Sequence, residues 1–136
     1  MAKRLAKRFP CLAEFTLAVL EGKWKSAILC SLIEHPCRYA DLRKYLPGLS
    51  DKVLSERLRD LVAEGLVDVQ RAAGSGRVQV YALTPLGMSL EVVLRVLSSW
   101  GGQHVEVFGV HVSAITTTSA RLRGNDHRCG DSAGAG

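Results

Sequence analysis

Apolar residues recur three and four positions apart in four stretches before residue 65, which is the spacing of amphipathic helices. Gly22, Pro36 and Pro47 separate these stretches, because glycine favours helix ends and proline disfavours helical geometry in the residue before it. The pattern predicts four helices over Glu14–Leu20, Lys23 to about Glu34, Tyr39–Leu46 and Ser50–Glu64.

The fourth predicted helix has one apolar and one polar face. Ser50 is placed to accept hydrogen bonds from the unpaired amides at the helix start, where the carboxylate of Asp51 is also favourable. Helical spacing assigns the buried stripe to Leu54, Leu58, Leu61 and Val62. It assigns the outward face to Asp51, Lys52, Ser55, Glu56 and Arg59.

After Gly65 the pattern changes to the alternation of a β-hairpin, with strands over Leu66–Arg71 and Arg77–Leu83 and a glycine-containing tip between them. Two helices joined by a tight turn, the second with a polar face, followed by such a hairpin, form the arrangement of a winged helix-turn-helix. The sequence therefore predicts a mainly α fold with a small β-hairpin wing, of the α+β class.

A long apolar helix and a less regular segment follow the hairpin. Thr84-Pro85 is a strong helix start, and the apolar series beyond it continues until Gly101-Gly102. His104–Ile115 alternates weakly and fits either a strand or a packing extension. We expect a basic arm over 1–10, a winged helix-turn-helix domain with dimerisation helices over 11–102, and an extension over 103–136, largely disordered from about residue 120.

Composition and charge narrow the functional class. A chain of 136 residues with 47% hydrophobic and 23% charged residues is expected to fold as one globular domain. The net charge of +5 comes entirely from residues 1–101, which hold 15 basic and 10 acidic side chains, so an anionic partner is expected. Without a stretch of about 18 apolar residues or a signal-peptide pattern, we expect a cytoplasmic protein with no membrane contact.

The polar helix face and the arginines around the hairpin tip suit duplex DNA. The major groove of B-form DNA admits one α-helix, whose polar side chains reach base edges while neighbouring arginines approach phosphates or the minor groove. Two alternatives stay open: a charged helix face that only keeps the surface solvated, and strand-edge arginines that only discourage aggregation. The predicted DNA-binding residues are Arg38, Arg43, Ser50, Asp51, Lys52, Ser55, Glu56, Arg59, Arg71 and Arg77.

Several short motifs, taken in order, resemble one family. They are Cys11 followed by Glu14, Gly22-Lys23-Trp24-Lys25, Arg38-Tyr39-Ala40-Asp41-Leu42-Arg43, Leu46-Pro47-Gly48-Leu49-Ser50, Leu54-Ser55-Glu56-Arg57-Leu58, Gly65-Leu66-Val67, Tyr81-Ala82-Leu83-Thr84-Pro85-Leu86-Gly87 and Trp100-Gly101. Over residues 11–101 the chain thus resembles the HxlR-type winged helix-turn-helix transcriptional regulators. The resemblance implies a homodimeric bacterial DNA-binding regulator, with the first and last helices at the dimer interface and the helix from Ser50 in the major groove.

The apolar residues of the first and last predicted helices exceed what a small winged domain can cover. A two-fold dimer that buries both helices would account for the excess. The predicted interface residues are Leu17, Leu20, Leu90, Val93, Leu94, Leu97 and Trp100.

Cys11 is the candidate redox-sensing residue. It precedes the first helix and follows the cations Lys3, Arg4, Lys7 and Arg8, which favour the thiolate and therefore reaction with an oxidant or a small electrophile. The resemblance implies the same role, because the N-terminal cysteine of relatives is linked to thiol sensing. The alternative is a small buried hydrophobe, as free cysteines commonly are.

Other chemistry has little support in the sequence. An enzyme needs a positioned base, a nucleophile and a pocket, and the sequence offers only a thiol-dependent reaction at Cys11 as an alternative. A zinc site from Cys30, His35 and Cys37 would lack a fourth ligand and the usual spacing. We expect no enzyme activity, no metal and no cofactor, and keep a small-molecule-responsive or constitutive regulator, or a non-DNA interaction module, as alternatives.

Overall fold

The computed structural model describes residues 8–71, 74 and 78–112. Most of the predicted basic arm, Arg77 and the tail beyond residue 112 lie outside the described residues. The described elements in chain order are α1 (Leu12–Leu20), α2 (Lys25–Glu34), β1 (Cys37–Arg38), α3 (Tyr39–Tyr45), α4 (Asp51–Ala63), β2 (Val67–Arg71), β3 (Gln79–Leu83), α5 (Pro85–Met88) and α6 (Glu91–His104).

The strands form one antiparallel sheet in the order β1-β3-β2. The hairpin register pairs Val67 with Leu83 and Arg71 with Gln79, and Cys37 of β1 pairs with Tyr81 on the other side of β3. Helices packed on a small sheet with a protruding hairpin confirm the predicted winged helix-turn-helix of mainly α class. The two-residue strand β1 is an addition, because two residues carry no alternation for a sequence pattern to detect.

Leucines from α2, α3 and α4 form the core and position the polar face of α4. Leu54, Leu58 and Leu61 of α4 are buried, as their spacing predicts. The assignment of Val62 to the same stripe is wrong, because 39% of its surface remains exposed. Val62 lies about 100° around the helix from Leu61, so it leaves the buried side. The other principal core side chains are Leu20, Ile28, Leu29, Leu32, Leu42, Leu46, Leu49 and Leu94.

The helix α2 begins at Lys25, two residues later than predicted. Trp24 has a φ of 72°, in the left-handed region that residues other than glycine rarely adopt. Its carbonyl nevertheless accepts the first helical hydrogen bond, from Ile28 N at 2.9 Å. Lys25 is almost fully buried, and its Nζ lies 2.5 Å from Oε2 of Glu64 at the end of α4. This ion pair joins the start of α2 to the end of the helix that carries the polar face.

The long helix predicted from Thr84 is divided in two. Thr84 Oγ1 caps α5 by accepting from Gly87 N at 3.0 Å, and it donates to Gly65 O at 2.6 Å. After α5 the chain forms a tighter turn, in which Leu90 N donates a hydrogen bond to Gly87 O, three residues back. The helix α6 begins after this turn.

The predicted end at Gly101-Gly102 is also wrong, since α6 continues to His104. Its helical ladder is unbroken there: Val105 N donates to Gly101 O at 3.0 Å. His104 stacks on Trp100, with ring centroids 4.5 Å apart. Residues 105–109 form turns, so the strand interpretation is wrong for the described part of His104–Ile115.

Candidate nucleic-acid interface

The turn between α3 and α4 sets the angle of the two helices. Leu46 N donates to Leu42 O at 3.0 Å and Leu49 N donates to Leu46 O at 3.3 Å, so the chain reverses within a few residues. Leu46 and Leu49 are buried on either side of Pro47-Gly48 and fix the turn against the core. Gly48 has a φ of 91°, a conformation that glycine adopts without strain.

Ser50 and Asp51 organise the start of α4. The Ser50 hydroxyl accepts from Val53 N at 3.3 Å, which confirms the predicted cap. Tyr39 Oη of α3 lies 3.0 Å from Oδ1 of Asp51 and 3.1 Å from its carbonyl oxygen. Arg43 Nε lies 2.9 Å from the same Oδ1 and also donates to the carbonyl of Leu49. These contacts tie α3 and α4 together at the N-terminal end of α4.

Tyr39 therefore joins α3 to α4 through a contact that the sequence did not predict. Its hydroxyl also lies 3.4 Å from Ser55 Oγ, one turn further along α4. Arg43 and Asp51, both predicted DNA contacts, already bind each other. The only sequence signal for Tyr39 was its position in the motif that includes Asp41 and Arg43, because the contact with Asp51 forms only when the helices pack.

The outward face of α4 contains the remaining predicted residues of that helix. Lys52 and Arg59 are exposed, whereas Ser55 and Glu56 are half-buried. Neither Lys52 nor Arg59 forms an ion pair with a described residue, and the Arg59 Nε contact with Ser55 O is long, at 3.4 Å. Two cations and two hydrogen-bonding side chains thus share one surface along the helix.

Two predicted arginines outside α4 are also exposed. Arg38 is exposed at the start of α3, where its backbone N–H donates to Asp41 Oδ2 at 3.0 Å and leaves the guanidinium at the surface. Arg71 is exposed at the end of β2 next to the hairpin tip. Arg77, the other arginine of the wing, lies outside the described residues.

A groove of about 430 Å³ runs between α4 and the wing. Its walls combine aliphatic side chains with three hydroxyl groups and one guanidinium. The lining residues are Tyr39, Ser55, Leu58, Arg59, Val62, Ala63, Val69 and Tyr81. Burial, with a smaller contribution from Tyr39, raises the pKa of Tyr81 above its ordinary value.

The seven residues predicted for a dimer interface fall into two groups. Leu20 and Leu94 are buried in the core of the single chain, and Leu90 and Val93 are packed against that core. Leu17, Leu97 and Trp100 are exposed. Further apolar side chains exposed on α1 and α6 are Leu12, Phe15, Val92 and Val96.

The described cysteines differ in accessibility. Cys11 is exposed at the start of α1, where its carbonyl accepts from Phe15 N at 3.3 Å. Cys37 is buried, and burial followed by the nearby Asp41 carboxylate raises its pKa to about 11. Burial also raises the pKa of Cys30. Cys37 Sγ lies 3.6 Å from His35 Nδ1, and no three metal-binding side chains come together in the described part of the chain.

Comparison with known proteins identifies the family. Residues 19–108 match the HxlR-like helix-turn-helix family, a span that includes the turn, α4 and the wing. The chain belongs to the HxlR-like family. It is 37% identical over 100 residues to the uncharacterized HTH-type transcriptional regulator YkvN of Bacillus subtilis, covering 74% of this chain and 85% of YkvN.

Two solved structures of regulators agree with this fold. The redox regulator HypR in its reduced form has a TM-score of 0.67 and 29% identity, covering 74% of this chain and all of HypR. The reduced form of the transcriptional regulator YodB from B. subtilis has a TM-score of 0.63 and 27% identity, covering 73% of this chain and 98% of YodB.

These findings give the chain its general role. It is a helix-turn-helix transcriptional regulator, and the polar face of α4 is its candidate DNA-reading surface. No helix among the described residues is long and apolar enough to cross a membrane.

Proposed function

We propose that the chain is a homodimeric, sequence-specific DNA-binding regulator whose α4 reads bases in the major groove. The observation that carries the proposal is the exposed polar face of α4, held rigidly by the Ser50 cap and the Tyr39–Asp51 contact. A helix fixed at its N-terminal end can present its side chains to base edges without a large loss of entropy on binding.

The side chains divide into reading and positioning groups. Ser55 and Glu56 are hydrogen-bonding groups suited to base edges, and Lys52 and Arg59 suit guanine or phosphate. Arg38 and the wing residues Arg71 and Arg77 contact backbone phosphates. Ser50, Asp51 and Arg43 act mainly by orienting α4, because their polar atoms are already bonded within the chain.

The dimer is supported by apolar surface that one chain leaves exposed. Leu12, Phe15 and Leu17 on α1 and Leu97 and Trp100 on α6 are large apolar side chains in contact with solvent. A two-fold interface would bury these faces and place two copies of α4 one DNA turn apart, about 34 Å. Leu20 and Leu94 would support the interface from the core of each chain.

A DNA titration tests the proposal. At physiological salt, a fragment of the promoter upstream of its own gene should bind at least about 10³-fold more tightly than a scrambled fragment of equal length. Footprinting should reveal one protected site of roughly two helical turns. Equal affinity for both fragments would contradict sequence-specific binding and indicate a nonspecific role.

We further propose that oxidation or alkylation of Cys11 lowers the affinity for DNA. Two observations support it: Cys11 is exposed, whereas Cys37 is buried with a raised pKa, and HypR, a redox regulator, has a similar fold. Cys11 adjoins α1, so an adduct would alter the packing of that helix and the separation of the two copies of α4. A penalty of about 1.4 kcal/mol would weaken binding tenfold.

The test compares wild type with Cys11→Ser, each before and after treatment with diamide or a quinone, with mass spectrometry to locate the adduct. Only the wild type should lose affinity for its site. Undiminished binding by protein fully modified at Cys11 would refute the redox role, and regulation by a small molecule or constitutive binding would then be the better account.

A further inference from the structure

The contacts of Tyr39 determine where its hydroxyl proton lies. A tyrosine hydroxyl has one proton to donate and lone pairs that accept. Tyr39 Oη lies 3.0 Å from Oδ1 of Asp51 and 3.1 Å from the Asp51 carbonyl oxygen. An ionised carboxylate and a carbonyl can only accept, so the Tyr39 hydroxyl donates its proton to Asp51.

The carboxylate that accepts this proton is itself held in place by Arg43. Arg43 Nε lies 2.9 Å from Oδ1 of Asp51, the same oxygen that faces Tyr39. A guanidinium carries only donors, so Arg43 favours the ionised form of that carboxylate and cannot accept the Tyr39 proton in its place. The ion pair therefore keeps Asp51 as the acceptor for Tyr39.

Ser55 is the third polar group at the Tyr39 hydroxyl. Its Oγ lies 3.4 Å from Tyr39 Oη, and the positions of the two oxygens alone allow either to donate. Since the only proton of the Tyr39 hydroxyl is directed at Asp51, Tyr39 accepts in this contact and Ser55 donates. The contact is long, so it biases the direction of the Ser55 proton rather than fixing it rigidly.

With its proton turned towards Tyr39, Ser55 presents lone pairs rather than a donor to a bound molecule. The donors that the bases offer in the major groove are the exocyclic amino groups of adenine and cytosine, whereas guanine N7 and O6, adenine N7 and thymine O4 accept. We propose that Ser55 reads the amino group of an adenine or a cytosine, and that Tyr39 is the positioning residue that sets this specificity. The inference rests on the proposed DNA-reading role of α4.

Operators with single altered functional groups test the direction of this hydrogen bond in the full chain. The position that Ser55 reads is the one at which Ser55→Ala loses discrimination among single base-pair variants of the promoter site. There, purine in place of adenine, or pyrimidin-2-one in place of cytosine, removes the amino group. Wild type should bind the altered DNA about fivefold more weakly, and Ser55→Ala less than about twofold. A 7-deaza purine at the same base pair lacks the N7 acceptor and should change wild-type binding less than about twofold.

Unchanged wild-type affinity after removal of the amino group would overturn the proposal. Weakening by the 7-deaza purine in wild type but not in Ser55→Ala would overturn it too, because Ser55 would then donate to N7. If Ser55→Ala keeps full discrimination at every position while the promoter fragment still binds more tightly than its scrambled control, the inference fails and the DNA-reading role of α4 survives. Equal binding of the two fragments would instead refute the proposed function together with the inference.

Two matched variants of α3 test the part assigned to Tyr39. Tyr39→Phe removes the hydroxyl that accepts from Ser55, so discrimination against DNA without the amino group should fall from about fivefold to about twofold or less. Tyr45→Phe removes the same group from the same helix, where the Tyr45 ring packs against His35 with centroids 6.2 Å apart, and should keep the discrimination near fivefold. A merely structural role of Tyr39 would weaken binding to both DNAs by the same factor, and that unchanged ratio would overturn its assignment.

Discussion

Lys25 is a charged side chain in an unfavourable position, and the carboxylate of Glu64 compensates for its charge. It is the first residue of α2, where the helix dipole disfavours a cation, and only 6% of its side chain is exposed. Oε2 of Glu64, 2.5 Å from its Nζ, supplies the opposite charge. Removing one partner from such a pair leaves a buried charge without compensation. The pair therefore matters for the stability of the fold.

Glu64→Gln should lower the free energy of unfolding by about 2 kcal/mol, since Glu64 keeps some contact with solvent and is not fully desolvated. Urea denaturation measures the change. Glu91→Gln is the matched control, because Glu91 pairs with Arg95 on the surface of α6 at 2.6 Å. It should cost less than about 0.5 kcal/mol. Equal losses in both variants would contradict the distinction between a buried and an exposed pair.

At the scale of single residues, the sequence identified local roles and missed distant partners. The capping hydroxyls of Ser50 and Thr84 were predictable, because a cap bonds to an amide three residues along the chain. Tyr39 and Lys25 were not, because their partners Asp51 and Glu64 meet them only after the helices pack.

At the scale of elements, the junction between α5 and the hairpin depends on the close contact of Gly87 with the backbone of Leu66. Gly87 of α5 faces Leu66 so closely that a Cβ at Gly87 would lie 2.0 Å from the Leu66 carbonyl oxygen and 3.2 Å from Leu83 Cδ2. A carbonyl oxygen in the backbone cannot move aside as a flexible side chain can. Only glycine at this position lets α5 pack against the start of the wing.

Gly87→Ala should therefore destabilise the protein by about 3 kcal/mol or more, through displacement of backbone at the junction. Gly101→Ala in α6 is the control, since a Cβ there meets nothing within 4 Å. It should raise stability by about 0.5–1 kcal/mol through better helix propensity. Thermal unfolding of both variants measures the contrast, and a stable Gly87→Ala protein would contradict the close approach.

Helices whose apolar pattern repeats over several turns were predictable, and the connections between elements were not. The period of α4 identified its helix and both faces except for Val62, which lies at the border between them. The break between α5 and α6 could not be predicted, because no proline marks it. It is formed by the hydrogen bond from Leu90 N to Gly87 O, which closes a tighter turn than an α-helix has. The strand β1 depends on pairing with β3, which is a long-range contact.

The proposed dimer is a property of the whole molecule. The exposed apolar side chains of α6 recur at helical spacing, and Val92, Val96 and Trp100 are each more than half exposed. A continuous apolar stripe of this kind indicates an interface more often than a solvated surface. The sequence predicted an apolar excess on the first and last helices, and the structure buries Leu20 and Leu94 of that set in the core of the single chain.

Val96→Asp should weaken dimerisation at least about 100-fold, because each copy would bury a carboxylate in the interface. Sedimentation velocity over a range of concentrations measures the shift to monomer. Val69→Asp introduces the same charge at a half-exposed position of the wing and should leave the dimer intact. A wild type that stays monomeric at all concentrations, or a Val96→Asp protein that dimerises like wild type, would contradict the proposed interface.

The most direct test of the central claim measures how substitutions in α4 and in the wing change the preference among operator variants with single base-pair changes. Ser55→Ala should alter the ranking of these variants, because it removes the hydroxyl that we propose reads a base edge. Arg71→Ala should weaken all of them about equally, because it removes a proposed phosphate contact. It should also reduce the slope of the logarithm of the binding constant against the logarithm of salt concentration by about one per subunit. If both substitutions shift every operator variant by the same factor, α4 is not the surface that reads the sequence.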